Sequence, residues 1–245
     1  MNRAQLTALA PEFDWTTTLS KRGLGTATQI IVSEPSAVTG AGKLLASVPV
    51  STWREWLAFR FASDHATVLS KPFDDAHFEF FSKRLSGVQE QRQRWKRGVA
   101  IDNASLGEAI GHIYVKDHFP AESEREVGEL ITNLRAAYAE RINGNSWMDE
   151  ATRREALAKL AAFEPRIGHP VKYIDYSTMK VVRGDAFGNA ISAEDFQWKL
   201  QLKRFPKPVD RTLWGMTPQT INAYYNRSVN QITFPAAILQ APFFD

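Results

Sequence analysis

The sequence predicts an α+β protein in which helix dominates, and two observations lead to this class. From residue 49 to about residue 160, apolar residues recur every three to four positions, which is the period of an amphipathic helix. Near the C-terminus, two short runs rich in β-branched and aromatic residues flank a polar turn, a pattern typical of a β-hairpin. We therefore expect a multi-helix part followed by a small amount of sheet.

The N-terminal half predicts short elements and then helices. Residues 29–32 are β-branched enough for a short strand. Ser51 is a suitable N-cap for a helix with a strongly aromatic face, which we expect Pro72 to end. Asp74 or Asp75 then caps a second helix. These signals predict helices packed through aromatic side chains.

The central region carries the strongest helix patterns. A helix is expected to begin near Gln93, and a separate one at Ser105, where Glu108 three residues later completes a capping box. Residues 122–141 form the clearest amphipathic helix of the chain, and Asp149 caps the next one.

A boundary is expected between residues 164 and 170, where helical periodicity stops. After it, residues 171–176 and 179–182 look strand-like or extended, residues 192–202 suit one further helix, and residues 205–208 form a stiff, proline-containing linker. The sequence therefore predicts two domains, 1–165 and 166–245.

The last segment predicts the hairpin. Residues 220–225 and 231–234 are the expected strands, residues 226–230 the turn, and Pro235 ends the second strand. The apolar run 236–244 must then be buried. Five aromatic residues of this segment are expected in the core rather than on a ligand: Trp214, Tyr224, Tyr225, Phe234 and Phe243.

Composition excludes several classes of protein. The 30 basic and 27 acidic residues leave a net charge of +3, too balanced to indicate a nucleic-acid partner. The chain has no cysteine, so disulfides and thiolate metal sites are excluded. No run of about 18 apolar residues predicts a membrane segment, and the N-terminus does not resemble a signal peptide.

Catalytic and metal-binding patterns are not found either. The five histidines are scattered, and His112 and His118 lie six residues apart, about 240° around a helix, so they cannot share a metal as an i, i+4 pair does. No Gly-x-Ser-x-Gly elbow or phosphate-binding loop occurs. We therefore assign no metal ligand and no catalytic residue within the chain.

The segments Trp214-Gly-Met216, Asn222-Ala-Tyr-Tyr225 and Asn230 to Phe244 resemble the neprilysin family of zinc metallopeptidases, which includes endothelin-converting enzyme and bacterial oligopeptidase O. Similarity to the family extends back to about Leu106, over half of the chain, and weaker likeness covers much of the remainder. Arg227 and Ala241 replace prolines that are common in the family.

This resemblance implies a fold, an activity and a site. Residues 1–165 would belong to the helical lobe, and residues 166–245 would be a linker and the opening of a thermolysin-like catalytic lobe. The complete enzyme would use zinc to cleave oligopeptides on the amino side of apolar residues. Asn222 and Ala223 would bind the substrate backbone, because an edge strand can pair with any extended peptide. Family members are usually extracytoplasmic.

In the family, the zinc-binding H-E-x-x-H motif follows the segment that ends this sequence. We therefore expect a fragment that ends just before its zinc site and has no hydrolytic activity alone. The missing C-terminal zinc-binding half would then be a partner, besides a peptide substrate. The alternative is a non-catalytic peptide-binding or assembly module that kept the strand and lost the chemistry.

Overall fold

The computed structural model describes residues 1–244, and the fold is mainly α with one small sheet, as the sequence predicts. The helices are α1 (Arg3–Leu9), α2 (Trp15–Lys21), α3 (Pro35–Ser47), α4 (Val50–Asp64), α5 (Lys71–His77), α6 (Arg94–His118), α7 (Ala121–Asn143), α8 (Glu150–Ala161) and α9 (Ala186–Arg204). The strands are β1 (Glu164–Gly168), β2 (Tyr224–Asn226) and β3 (Gln231–Pro235). Two compact units arise from these elements.

The first unit comprises Met1–Arg92 and Met179–Val209 and contains α1 to α5 and α9. Most of its buried apolar side chains are alanines. His65 is buried after the end of α4, with Nδ1 2.8 Å from the Phe61 carbonyl oxygen and Nε2 3.2 Å from a carboxylate oxygen of Glu194 on α9. Polar contacts thus join the end of α4 to α9.

The second unit comprises Gln93–Thr178 and Asp210–Asp245 and contains α6 to α8 and the sheet. The strand order is β1-β3-β2, with β1 parallel and β2 antiparallel to the central β3. Side chains of β3 alternate between fully and partly buried positions, as expected when two faces of a strand meet different environments. The sheet therefore has β2 at one edge.

The core of the second unit joins the segment after β3 to α7. Ala236 and Leu239 are buried against Phe119, Val127 and Ile131. Partly buried apolar side chains extend this cluster on both sides: Tyr114, Val115, Ile167, Phe234, Ile238 and Phe244. The first part of the apolar run that follows the hairpin, residues 236–239, is thus covered by helices of its own chain, whereas residues 241–243 are exposed.

Several predicted elements are correct. Helix α7 matches the pattern of residues 122–141, and Asp149 caps α8 by accepting a hydrogen bond from the Thr152 backbone N–H at 2.7 Å. The hairpin also forms across the predicted turn, but β2 covers only Tyr224–Asn226, so residues 220–223 of the expected first strand are not part of it. These elements carry strong local signals that the tertiary structure leaves in place.

Other predictions hold only in part or are wrong. The helix expected to begin near Gln93 and the one expected at Ser105 are the two arms of α6, which meet at a kink at Leu106, where φ is −127° and ψ is 25°. The Glu108 carboxylate does not complete a capping box; it accepts a hydrogen bond from the Ile174 N–H at 2.7 Å. Residues 171–182 are not a strand, and residues 29–32 contribute one bridge, between Gln29 and Asn2.

The helix ends of the first unit also differ from expectation. Pro49, not Ser51, occupies the N-cap position of α4, and Pro72 lies in the first turn of α5 instead of ending a helix. Proline suits that first turn because its missing N–H would have no intrahelical partner there. The division into domains 1–165 and 166–245 stays a prediction. No helix within residues 1–244 is both long and apolar enough to cross a bilayer.

Candidate functional site

The sequence-predicted pair Asn222 and Ala223 lies directly before the edge strand β2. Extending the β2–β3 register, in which Tyr224 faces Thr233, would bring Ala223 opposite Phe234 and Asn222 opposite Pro235. Proline has no backbone N–H, so Pro235 cannot donate a β-sheet hydrogen bond to Asn222. Within residues 1–244, no strand pairs with the outer side of β2. The pair therefore directly precedes an edge strand whose outer side is open among the described residues.

Hydrogen bonds fix the backbone of this pair. The Asn222 N–H donates to the Thr220 carbonyl at 3.0 Å, and the Ala223 N–H donates to Oδ1 of Asn222 at 2.8 Å. Nδ2 of Asn222 has no partner among the described residues, and the residue is exposed. The side-chain oxygen of Asn222 thus binds the N–H of the next residue, and its NH₂ group faces solvent.

The loop before the pair is seated against α6. Pro218 is fully buried, and its carbonyl oxygen accepts a hydrogen bond from the Ala237 N–H at 2.9 Å. A Cβ at Gly111 would lie 2.5 Å from Cδ of Pro218, and one at Gly107 would lie 2.6 Å from Cγ2 of Thr217. Two glycines one helical turn apart therefore allow the loop to approach the helix backbone.

A charged network supports the far end of the hairpin. Glu164 at the start of β1 accepts a hydrogen bond from Nε2 of Gln231 at 2.8 Å and forms ion pairs with Arg166 at 2.8 Å and Arg211 at 3.2 Å. The hydrogen bond from Gln231 is the largest cause that lowers the pKa of Glu164, and Arg211 and Arg166 add to it. This network fixes β1 against β3 without facing the open edge.

Two of the five aromatic residues predicted for the core lie outside it. Tyr225 is 44% exposed and Phe243 is 67% exposed, whereas Trp214, Tyr224 and Phe234 are partly buried. The Tyr225 hydroxyl donates to Oδ1 of Asn230 at 2.8 Å, a polar role that aromatic spacing does not reveal. The expectation of burial was thus wrong for Tyr225 and Phe243.

The histidines take part in aromatic contacts. His112 stacks on Tyr173 with ring centroids 4.6 Å apart, and His169 stacks on the same ring at 6.0 Å. His118 contacts Tyr114. Within residues 1–244, no group of three His, Asp or Glu side chains is placed to hold a metal ion. The described residues therefore do not fit a zinc site, and no chemical step through zinc follows from them.

Comparison with known proteins identifies the family. Residues 1–170 match the sequence model of peptidase family M13. Neprilysin-3 of Drosophila melanogaster is 31% identical over all of this chain and 33% of its own length. The neutral endopeptidase of Lactobacillus helveticus is 32% identical over 89% of this chain and 34% of its own length. The chain thus spans about a third of the length of these curated relatives.

Solved structures agree with the sequence comparison. The crystal structure of the zinc metalloprotease Zmp1 of Mycobacterium tuberculosis, in complex with an inhibitor, matches all of this chain with a TM-score of 0.92 and 39% identity, over 37% of that protein. PepO of Lactobacillus rhamnosis matches with a TM-score of 0.90 and 25% identity, over 39% of that protein.

In both sequence and fold, the chain matches metallopeptidases. The chain belongs to peptidase family M13, and the predicted resemblance to neprilysins is confirmed.

Proposed function

We propose that this chain supplies the peptide-aligning edge of an M13 zinc metallopeptidase, with Asn222 and Ala223 binding the backbone of an extended substrate. The observation that carries the proposal is the position of the pair. It directly precedes β2, whose outer side pairs with no strand within residues 1–244. Strand addition at such an edge uses main-chain hydrogen bonds, which are the same for every peptide sequence.

The chemistry of the pair supports this role. Nδ2 of Asn222 can donate to a peptide carbonyl, and the Ala223 carbonyl oxygen can accept from a peptide N–H. Oδ1 of Asn222 already accepts the Ala223 N–H, which fixes the side chain before a peptide arrives. A fixed side chain loses less conformational entropy on binding, so each hydrogen bond contributes more of its energy to affinity.

We further propose that the whole enzyme cleaves oligopeptides on the amino side of apolar residues, as the family resemblance implies. Its zinc ligands would come from outside residues 1–244, because those residues offer no suitable cluster. Zinc in such enzymes activates water and polarises the scissile carbonyl. In this proposal, residues 1–244 bind and align the peptide, and the zinc and the groups that react lie in the rest of the enzyme.

Peptide binding to the purified chain tests the alignment role. A fluorescein-labelled extended hexapeptide with apolar side chains should bind, and Asn222→Ala should weaken its affinity by about 10-fold, the value of one or two net hydrogen bonds. Asn226→Ala is the matched control, because Asn226 lies at the turn end of the same strand and binds Ser228 instead.

Backbone methylation of the peptide separates strand addition from unspecific apolar binding. A peptide N-methylated at alternate residues keeps its side chains but loses the N–H groups that an edge strand needs. We expect it to bind at least about 10-fold more weakly than the unmodified peptide. Equal affinity for the two peptides, or equal effects of the Asn222 and Asn226 substitutions, would overturn the proposed role.

Metal content and cleavage test the division of labour. We expect atomic emission to find no stoichiometric zinc in the purified chain, and we expect no cleavage of a quenched fluorescent peptide. Stoichiometric zinc together with chelator-sensitive cleavage by the chain alone would contradict the proposal. Cleavage that appears only after adding the remaining part of an M13 enzyme would support it and would exclude a non-catalytic binding module.

A further inference from the structure

The side chain of Gln219 bridges the loop before Asn222 to helix α6. Its Nε2 donates to Oδ1 of Asn103 and to the carbonyl oxygen of Gly107, both at 2.9 Å. Oε1 is buried and lies against the Gly111 backbone, where a Cβ would be 2.8 Å away. The amide is therefore fixed by two acceptors and by the absence of a side chain at Gly111.

The two acceptors lie on opposite sides of the helix kink. Asn103 precedes Leu106, the residue with non-helical backbone angles, and Gly107 follows it. One NH₂ group thus contacts both arms of α6 at the point where its direction changes. A hydrogen bond to one arm alone would fix the loop relative to that arm only. Two hydrogen bonds, one to each arm, fix the position of the loop relative to the kink.

A short series of hydrogen bonds connects this bridge to Asn222. The Thr220 N–H donates to the Thr217 carbonyl at 3.0 Å, and the Asn222 N–H donates to the Thr220 carbonyl at 3.0 Å. The hydroxyls of Thr217 and Thr220 also meet at 2.9 Å. Only residues 220 and 221 lie between Gln219 and Asn222. Of these, Thr220 is hydrogen-bonded to Thr217 through both its backbone and its side chain.

We infer that the Asn103–Gln219 bridge is a positioning device that fixes Asn222 and Ala223 for peptide binding. This inference rests on the proposed function of the pair. Gln219 acts through the loop, since its amide is bonded to α6. Pre-organisation of this kind raises affinity by removing the entropy cost of ordering the loop on binding.

The test compares two glutamines that are bonded to the same helix. Gln219→Leu removes the bridge, and Gln240→Leu is the matched control, because Nε2 of Gln240 also donates twice to α6 residues, to the Tyr114 hydroxyl at 2.8 Å and the His118 carbonyl at 3.0 Å. Hydrogen exchange followed by mass spectrometry measures the protection of the amides of residues 220–223. We expect Gln219→Leu to raise their exchange rate about 10-fold and Gln240→Leu to leave it unchanged.

Peptide affinity then distinguishes positioning from general stability. Gln219→Leu should weaken binding of the labelled hexapeptide by about 3- to 10-fold and Gln240→Leu should not. If Gln219 acts through Asn222, the two substitutions are not additive, so Gln219→Leu should weaken binding less in the Asn222→Ala background than in the wild type. A purely structural role predicts additive losses.

The outcomes separate the inference from the function on which it rests. Unchanged exchange of residues 220–223 in Gln219→Leu, equal exchange effects of the two glutamine variants, or additive affinity losses would overturn the positioning role. If the wild-type chain binds no peptide, the proposed function is wrong. The hydrogen exchange of residues 220–223 in the two glutamine variants then decides by itself whether the bridge fixes Asn222.

Discussion

Replacing Gly111 by alanine should destabilise the second unit, although alanine is the better helix former. In an exposed helix interior this change gains about 1 kcal/mol, because glycine loses more backbone entropy on folding. At Gly111, however, the new Cβ would lie 2.5 Å from Cδ and 2.8 Å from Cγ of Pro218. Pro218 is fully buried, and its rigid pyrrolidine ring cannot rotate away from the new Cβ.

The size of the effect follows from the required movement. Ordinary carbon contacts begin near 3.4 Å, so the loop must shift by about 1 Å, and overpacking of this kind typically costs about 1–3 kcal/mol. Gly98→Ala is the matched control on the same helix, since no atom lies within 4 Å of its added Cβ. The free energies of unfolding of the two variants should therefore differ by about 2 kcal/mol.

Urea unfolding followed by circular dichroism measures this difference. With the steep urea dependence of a chain of this size, about 2 kcal/mol separates the midpoints by roughly 0.5–1 M, with Gly98→Ala at or above the wild type and Gly111→Ala below it. Equal stabilisation by both substitutions would refute the close approach of the loop to α6. It would also remove the physical basis for a fixed Asn222.

Two further predictions concern the sheet of the second unit. Gly168, at the end of β1, has φ = +75°, and a Cβ added there would lie 2.3 Å from the Phe119 ring, whereas Gly184 has φ = +87° and open space around it. Alanine at either position is strained by the positive φ, but only Gly168→Ala also meets the ring, so thermal unfolding should show the larger loss of stability for Gly168→Ala. Equal losses of stability would contradict the contact with Phe119. Because the hydrogen bond from Gln231 lowers the pKa of Glu164 below its ordinary value of 4.5, the carboxylate stabilises the folded state above that pH, and this stabilisation disappears as the pH falls through the lowered pKa. The stability difference between wild type and Glu164→Gln should therefore be present at pH 7 and vanish in strong acid, and a difference that grows in acid would contradict this sign.

Local signals predicted the elements whose stability is local. The long amphipathic pattern of α7, the cap Asp149 of α8 and the alternating residues of the hairpin each specify one structure without distant partners. Glu108 shows the limit of such signals. Its spacing from Ser105 suited a capping box, but its carboxylate binds the Ile174 N–H, 66 residues away. A partner at that distance cannot be foreseen from a four-residue pattern.

Strand pairing was predictable only between neighbours. The β2–β3 hairpin follows from its turn, whereas β1 pairs in parallel with β3 across more than 60 residues, so residues 164–168 gave no sign of being a strand. Residues 171–176, which did look extended, find no partner and remain irregular. A β-strand is stable only when a neighbour accepts its backbone hydrogen bonds, and sequence alone does not name that neighbour.

The candidate site shows the same division between local and distant causes. The family motif located Asn222 and Ala223, but the residues that seat them lie more than 100 positions earlier, on α6. One signal was present in the sequence: Gly107 and Gly111 are four residues apart and so share a helix face, which allows another backbone to approach closely. A peptide-binding edge needs a fixed base more than specific side chains, because its ligands share only their backbone. Gly107 and Gly111, although glycine weakens a helix, are therefore the positions at which α6 leaves room for the loop before β2.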